Sequence, residues 1–528
     1  MKTPFLALWS RRLLLAVFAL AFCGCGPQDA VSRLPSSASS PLAITKPPGQ
    51  KTPPASDQLA QAPPPKTPPK TYSKLFEGWA QPQAVLLLTG RQHGYIEPCG
   101  CTGLANQKGG MARRRSLYLQ LKQRGWDVAG LDCGNQVRRI GRQAEIKFQT
   151  TAECLKQMNY QAIAFGPDDL RLSAGELLFA AAAEGDQKSP FVSANAVVID
   201  PDLTSRYRVL KVGGKKIGVT SVLGAEAQRK INNDEILLEP AEKSLKEVWA
   251  ALKAQNCDLY VLLAHATLDE TQALAQKVPN FDIVVTAGGA EEPHHRMEKI
   301  PQTKSWLVQT GAKGMYAGVV GVFNNPAQPL RYQKVPLDDR FPDDKAMLQK
   351  LASYQEHLKQ EGFSGLGLRP SPYPGDRRFV GSEACKDCHT KAFAVWKESP
   401  HVHATDSLVN PGERSQIQRH YDPECISCHV TGWNPQKYFP YTSGYLSLGQ
   451  KHLHGNGCEG CHGPGGSHVA AENGDVSATD QQLLALRQQM RLPLAQARTK
   501  CLECHDLDNS PDFHVEGAFE KYWKKVEH

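Results

Sequence analysis

Residues 455–468 read GNGCEGCHGPGGSH: two cysteines three positions apart, a histidine directly after the second, and another histidine six residues on. Taken alone, Cys458, Cys461 and His462 admit three chemistries: half of a zinc site, a redox dithiol, or the covalent anchor of a haem. Each would build the surrounding chain in a different way.

Repetition decides between them. The pattern C-x-x-C-H occurs four times, at Cys385/Cys388/His389, Cys425/Cys428/His429, Cys458/Cys461/His462 and Cys501/Cys504/His505, with successive spacings of 40, 33 and 43 residues. A structural zinc site takes four ligands, usually from two paired knuckles, and does not ask for histidine after each second cysteine. A thioredoxin-like dithiol sits beside a βαβ pattern, which this region lacks. Haem attachment requires this arrangement. Two thiols within one turn reach the two vinyl groups of one porphyrin, and the next residue brings an imidazole under the iron. The sequence therefore calls for four c-type haems on those eight cysteines, with His389, His429, His462 and His505 as proximal ligands.

The composition around the motifs agrees. From about residue 377, His, Cys, Gly and Pro dominate and apolar periodicity fades; twelve of the seventeen histidines lie after residue 380. A segment this poor in core formers needs another source of cohesion. Eight histidines there are not proximal: His401, His403, His420, His452, His454, His468, His514 and His528. That is twice what four irons can use, which favours bis-histidine ligation and, with the sixth position filled, electron transfer over substrate chemistry. Trp396, Trp433, Tyr438, Tyr441, Phe513 and Trp523 are expected to pack on porphyrin faces.

Upstream the pattern changes. AVLLL (84–88), WDVAGL (126–131), AIAF (162–165), IGVTSV (217–222), LYVLLA (259–264) and DIVV (282–285) read as buried strands, with helical stretches such as 111–125 and 242–255 between them. VLKVGGKKIGV (209–219) reads as a hairpin turning at Gly213-Gly214. A helix is expected over 345–361, and SPYPGD (371–376) marks a boundary.

The N-terminus carries Lys2, Arg11 and Arg12 ahead of the apolar run LLLAVFALAF (13–22), too short to span a bilayer but suited to an export signal. SRRLLL also resembles a twin-arginine signal. Cys25 is the candidate lipidation site, and a lipid there would tether the chain to a membrane rather than make it span. Residues 27–72 hold twelve prolines and read as an extended tether. Residues 1–72 supply six of the eight net positive charges. The rest of the chain is near neutral, with no basic stripe suited to phosphate backbones, so no nucleic-acid partner is expected.

Two resemblances add to this. Residues 380–505, through VGSEACKDCHTKAFAVWKESPHVHA (380–404), CISCHVTGW (425–433), GCEGCHGPGGSH (457–468) and CLECH (501–505), resemble the tetrahaem cytochromes c that accept electrons from hydroxylamine oxidoreductase. The resemblance implies that His401 and His468 are distal ligands given to other haems, His468 to the haem of His389. It implies that His528 or His514 caps the fourth haem, and that the haem of His429 is five-coordinate, with His420, His452 and His454 as alternatives for that place.

Residues 84–325 resemble the calcineurin-like metallophosphatase domain of the 5′-nucleotidase family, through LLLTGRQHGYIEP (86–98), LDCGN (131–135), FGPDD (165–169), VLLAHA (261–266) and FDIVVTAGGA (281–290). Against that family's metal motifs, the first Asp-x-His is Arg91-Gln92-His93, the bridging Asp is Asn135, and Gly-Asn-His-Asp is Gly166-Pro167-Asp168-Asp169. A loop histidine survives as His265, and the closing Gly-His-x-His is Ala287-Gly288-Gly289-Ala290. A two-metal hydrolase needs hard ligands that bridge both ions, so the hydrolytic centre is expected to be lost. His93, Cys99, Cys101 and Cys133 could instead hold one transition-metal ion; a disulfide among the cysteines is the alternative. Cys154 and Cys257 are expected as small buried hydrophobes, Asp168 and Asp169 as loop residues. Arg91, Arg113 and Arg114 read as a solvated or paired face, or as an oxyanion site.

The expected fold class is a multidomain chain: an α/β metallophosphatase-like sandwich followed by a mainly α multihaem cytochrome c domain with little regular structure. The expected divisions are 1–25 signal, 26–72 linker, 73–345 α/β domain, 346–376 helix and linker, and 377–528 haem domain. The expected role is electron transfer between redox partner proteins by an exported, periplasmic or surface lipoprotein. The alternatives are a redox enzyme acting on a small nitrogen or sulfur compound, and a metal-dependent phosphoesterase.

Overall fold

The computed structural model describes residues 72–98, 107–182, 188–200, 204–412 and 416–528. Ser73–His528 form one compact unit. The signal segment, the tether and Cys25 lie outside the described residues, as do Cys99 and Cys101.

Among the described residues, fourteen strands belong to the α/β part: β1 (Ala84–Thr89), β2 (Val128–Asp132), β3 (Tyr160–Ala164), β4 (Phe191–Val192), β5 (Ala196–Val198), β6 (Tyr207–Val212), β7 (Lys215–Leu223), β8 (Ile236–Leu238), β9 (Leu259–His265), β10 (Ile283–Thr286), β11 (Glu298–Lys299), β12 (Trp306–Gln309), β13 (Tyr316–Val322) and β14 (Leu330–Pro336). One six-stranded sheet runs β14-β13-β1-β2-β3-β4, and a second runs β11-β12-β10-β9-β7-β6. β1 to β4 are mutually parallel, and β13 enters antiparallel beside β1.

Side-chain alternation explains the layers. In β1, Leu86 and Leu88 join Leu131, Val219, Val261, Val285 and Val320 in a core between the sheets. Val85 and Leu87 face the other way, against Leu117 and Leu121 of the helix Met111–Gln123 and Phe148 and Leu155 of the helix Arg142–Gln157. The second sheet is covered by Leu245, Val248 and Leu252 from Ala241–Lys253 and Leu274 from Leu268–Lys277. Both faces of each sheet are covered, so the strands are continuous apolar runs rather than alternating ones. The expected hairpin forms, with β6 and β7 antiparallel around Gly213 and Gly214, both at positive φ. The expected helix at 345–361 runs Lys345–Gly365, capped by the Asp344 side chain and broken at Gly362.

After residue 377 the helices are short: Thr390–Glu398, Ala404–Val409, Pro423–His429, Cys458–His462, Gly466–Glu472, Asp480–Gln489, Leu494–Cys501 and Ala518–Trp523. The only apolar cluster among the described residues there is Phe379, Leu408, Ile426, Val430, Trp433, Tyr445 and Leu453. Among the described residues no helix is long and apolar enough to cross a membrane.

Two expectations on buried residues change. Arg114 is wholly buried, with its guanidinium on the Gln92 side chain, and Arg113 is nearly so, donating to the Gln107 carbonyl at 2.5 Å and lying 3.6 Å from the Asp343 carboxylate, so the paired alternative replaces the solvated one. Cys154 is buried as expected, but Cys257 is only half-buried.

Candidate haem sites and the remodelled strand ends

The helix that carries the second motif starts at Asp422, whose carboxylate accepts the Glu424 N–H, has Pro423 in its first turn, and ends on His429. One turn of helix sets Cys425 and Cys428 on one side, the spacing the attachment chemistry requires. The third motif forms the short helix Cys458–His462 in the same way.

Histidine rings then meet across motifs. The centres of His389 and His468 are 6.3 Å apart, those of His401 and His505 6.1 Å, and those of His462 and His528 5.8 Å. Two metal–nitrogen bonds of about 2 Å, plus the ring radius at each end, put the centres of two axial imidazoles roughly 6 Å apart. The three pairs therefore fit an iron between them.

The other ring nitrogens agree at four of the histidines, while Nδ1 of His468 is buried without a hydrogen-bond partner among the described residues. Nδ1 of His462 lies 2.7 Å from the Met490 carbonyl, that of His429 2.8 Å from the Ala404 carbonyl, and that of His528 2.9 Å from the Val526 carbonyl. Nδ1 of His505 is 2.9 Å from the Ser510 hydroxyl. An imidazole whose Nδ1–H donates to an oxygen leaves its Nε2 lone pair for a metal. His454 and His514 are arranged the opposite way. Their Nε2 atoms face the carbonyls of Leu448 at 3.1 Å and His505 at 2.8 Å. His420 packs on Tyr421, and His403 faces Asp406 from an exposed position.

Of the four expected distal candidates, the structure brings His401, His468 and His528 to proximal rings and turns His514 to a backbone carbonyl. It also differs from the expected pairing, because the late histidine His528 meets the third-motif ring while His401 meets the fourth. The motifs abut in a definite order: the thiols of Cys385 and Cys458 lie near enough to perturb each other's titration, as do those of Cys428 and Cys504 and those of Cys461 and Cys501. First touches third, third touches fourth, fourth touches second.

Sequence reasoning missed Glu459, the residue between Cys458 and Cys461. Its buried carboxylate accepts the N–H groups of Gly381 at 2.7 Å, Gly465 at 2.8 Å and Val380 at 3.1 Å, which ties the third motif to the lead-in of the first. The only available signal was a charged residue inside an otherwise small and apolar motif. Of the aromatic residues, Phe513 stacks on His505 with centres 4.8 Å apart. Trp433 sits in the small core, its indole donating to the Tyr445 carbonyl, and Tyr438 lies 3.5 Å beneath the Arg139 guanidinium.

That contact belongs to the seam between the α/β part and the haem region. Lys147 reaches the Glu424 carboxylate at 2.8 Å, Gln143 and Gln355 donate to the two oxygens of Asp422, and Arg419 pairs with Glu97. Burial pushes the Asp422 carboxyl up, while Lys147 and Arg139 outweigh burial and hold that of Glu424 down.

At the carboxyl ends of the α/β strands, the residues on the family's metal positions do other things. The Arg91 guanidinium donates to the carbonyls of Gly311 and Ala290, each at 2.7 Å, and of Gly289 at 3.2 Å, so it staples the closing loop shut. Asn135 donates to Asp168 at 2.8 Å, and buried Asp169 accepts the N–H groups of Asn135, Gly166 and Val137. Burial drives the Asp169 carboxyl up to about 7. The His265 Nδ1 lies 2.8 Å from the Cys133 carbonyl. Burial, with Arg91 and other cations nearby, holds His265 down to about 4 and His93 to about 3. The Cys133 thiol points into the inter-sheet core towards the Val285 carbonyl, and burial raises it well above its ordinary value. Arg91, His93, Asn135 and Lys313 all hold φ between 49° and 61°, a conformation non-glycine residues adopt at some expense and one that clusters at functional sites. Among the described residues, no group of three His, Cys, Asp or Glu side chains is placed to share a metal ion.

Fold and motifs together resemble a c-type cytochrome region joined to an α/β sandwich of metallophosphatase type. The comparisons with known proteins divide along the same line. Residues 384–463 match the family described as cytochrome c554 and c-prime. Cytochrome c-554 of Nitrosomonas europaea is 34% identical over 100 residues, covering 17% of this chain and 40% of that protein. The N-terminal half is similar to an apyrase of Aedes albopictus, 23% identical over 294 residues, covering 50% of this chain and 51% of the relative. A solved 5′-nucleotidase precursor of Thermus thermophilus aligns with a TM-score of 0.45 at 20% identity, covering 52% of this chain and 59% of that one. The chain thus spans about half or less of the length of these curated relatives.

Proposed function

We propose that this protein is an exported electron carrier with four covalently bound haems, fused to a metallophosphatase-like domain that no longer hydrolyses esters. The observation that carries this reading is the set of three histidine pairs with centres roughly 6 Å apart, each joining a C-x-x-C-H histidine to one from elsewhere in the chain. When bound, the haem irons supply one-electron carriers whose potentials follow axial ligand, hydrogen bonding and burial. The chain's part is to anchor them through Cys385, Cys388, Cys425, Cys428, Cys458, Cys461, Cys501 and Cys504, to hold the axial rings, and to set the order first–third–fourth–second. Lipidation at Cys25 and redox partner proteins belong to the same proposal.

The non-hydrolytic reading rests on Arg91 and Asn135. A guanidinium fixed to three loop carbonyls and an amide bonded to Asp168 stand where the first-motif and the bridging carboxylate ligands are needed.

The test is haem stoichiometry with electron paramagnetic resonance of the oxidised protein. Four covalent haems with at least three low-spin signals are expected. Fewer than four haems in the unmodified protein would sink the proposal. If a high-spin signal is present and shifts with hydroxylamine, nitrite or sulfite, the protein is an oxidoreductase at the second haem rather than a carrier.

A further inference from the structure

The α/β part reaches one haem motif through a short, continuous path. Asp508 lies three residues after His505. Its backbone N–H and that of Asn509 donate to the Asp506 carboxylate, at 3.0 and 2.7 Å, and the Ser510 N–H returns to the Asp506 carbonyl at 2.8 Å. This closed turn presents the Ser510 hydroxyl to Nδ1 of His505 at 2.9 Å. On its other side the Asp508 carboxylate accepts the Tyr95 hydroxyl at 2.8 Å and is paired with Lys313. Lys313 is also in reach of Glu291 at 3.2 Å, and its side chain is only 13% exposed. Tyr95 follows β1 and Lys313 lies between β12 and β13, at the same strand ends that hold Arg91 and His93.

We propose that Asp508 is a positioning residue for the fourth haem, clamped by Lys313 and Tyr95 so that Ser510 keeps its hydrogen bond to His505. The proposal rests on the haem reading above and goes beyond it, because it gives the remodelled strand ends a task in redox tuning. A hydrogen bond accepted from Nδ1–H fixes the ring plane and makes the ligand more basic, and hydrogen bonding around the ligands is one of the levers on a haem potential. Weakening it favours the reduced iron and raises the potential.

The sign of the effect separates positioning from simple charge. As point charges, removing the Lys313 cation would lower a nearby potential and removing the Asp508 anion would raise it. As parts of one clamp, both removals free the same turn and both raise it.

The experiment is a spectroelectrochemical titration of the full chain with all four haems attached, fitted to four one-electron steps. Ser510→Ala marks which step belongs to the fourth haem. Lys313→Ala, Asp508→Asn and the milder Tyr95→Phe are each expected to raise that one potential and leave three in place. The Lys313→Ala/Asp508→Asn double variant should shift it no further than the larger single change, and Lys313→Arg should restore it. Opposite signs for Lys313→Ala and Asp508→Asn, a shift spread over all four steps, or no shift overturns the proposal. Haem content is counted in the unmodified protein, so a shortfall there refutes the haem reading separately.

Discussion

The imidazole of His468 stands 6.3 Å from that of His389, centre to centre, with the ring planes tilted by 43°. The two residues come from different motif neighbourhoods, one ending the first C-x-x-C-H and the other following the third. His468→Ala should turn one low-spin signal high-spin in the paramagnetic resonance spectrum while four haems remain attached. Loss of a haem, or an unchanged spectrum, would show that His468 is not an axial ligand.

Glu459 holds three backbone N–H groups, two from the lead-in of the first motif and one just after its own. Glu459→Gln keeps the size but retains only one acceptor oxygen, leaving buried donors unsatisfied at about 1–3 kcal/mol each. A lower midpoint in guanidinium unfolding is expected, followed by loss of haem-region circular dichroism. An unchanged midpoint would mean that solvent replaces those bonds.

His265 gives a pH dependence with a definite sign. Burial lowers its folded-state pKa to about 4 from 6.5, so between those values the unfolded chain binds a proton that the folded chain does not. Stability therefore rises with pH across that window and falls as pH drops through it, by roughly 3 kcal/mol at 1.36 kcal/mol per unit. Asp169, held up to about 7, contributes the opposite slope in the same window, so the test is the difference between proteins: from pH 6.5 to pH 4 the thermal midpoint of His265→Gln should gain relative to that of the unmodified protein. Equal slopes in both proteins would remove His265 as the cause.

Lys147 is 8% exposed and pairs with Glu424 at the seam, where the Glu424 side chain is 31% exposed. Because the carboxylate is partly solvated, Lys147→Met should cost less than breaking a fully buried pair, on the order of 1–3 kcal/mol. It should loosen the second-motif helix from the helix Arg142–Gln157. Hydrogen exchange of residues 423–429 reports this directly: faster exchange is expected, and unchanged protection would contradict it.

Much of this was legible in sequence, for stated reasons. The haem motifs announce themselves because attachment chemistry fixes both spacing and residue type. The strands of the α/β part are legible because sheets covered on both faces need unbroken apolar runs. The antiparallel entry of β13 beside β1 was not, since YAGVVGV is equally apolar whichever way it runs. The ligand partners were half legible: composition showed too many histidines, but which Nε2 is left for a metal depends on Nδ1 partners such as the Met490 and Val526 carbonyls. Arg114 misled because a long cation is usually at the surface; here Gln92 receives it inside. Asp508 was invisible as well, since its partners Tyr95 and Lys313 are hundreds of residues away in the chain.

The crossed histidine pairs also decide what can fold alone. In a stacked-repeat protein each unit touches only its neighbours, and a shortened array still closes. Here the first motif's ring meets His468, the third's meets His528, and the fourth's meets His401, from near the first. The four copies repeat in sequence without being four modules, because three of them borrow their closing contact from another stretch. Deleting the first stretch with His401, or the third with His468, would therefore strip a ring partner from a motif that stays behind.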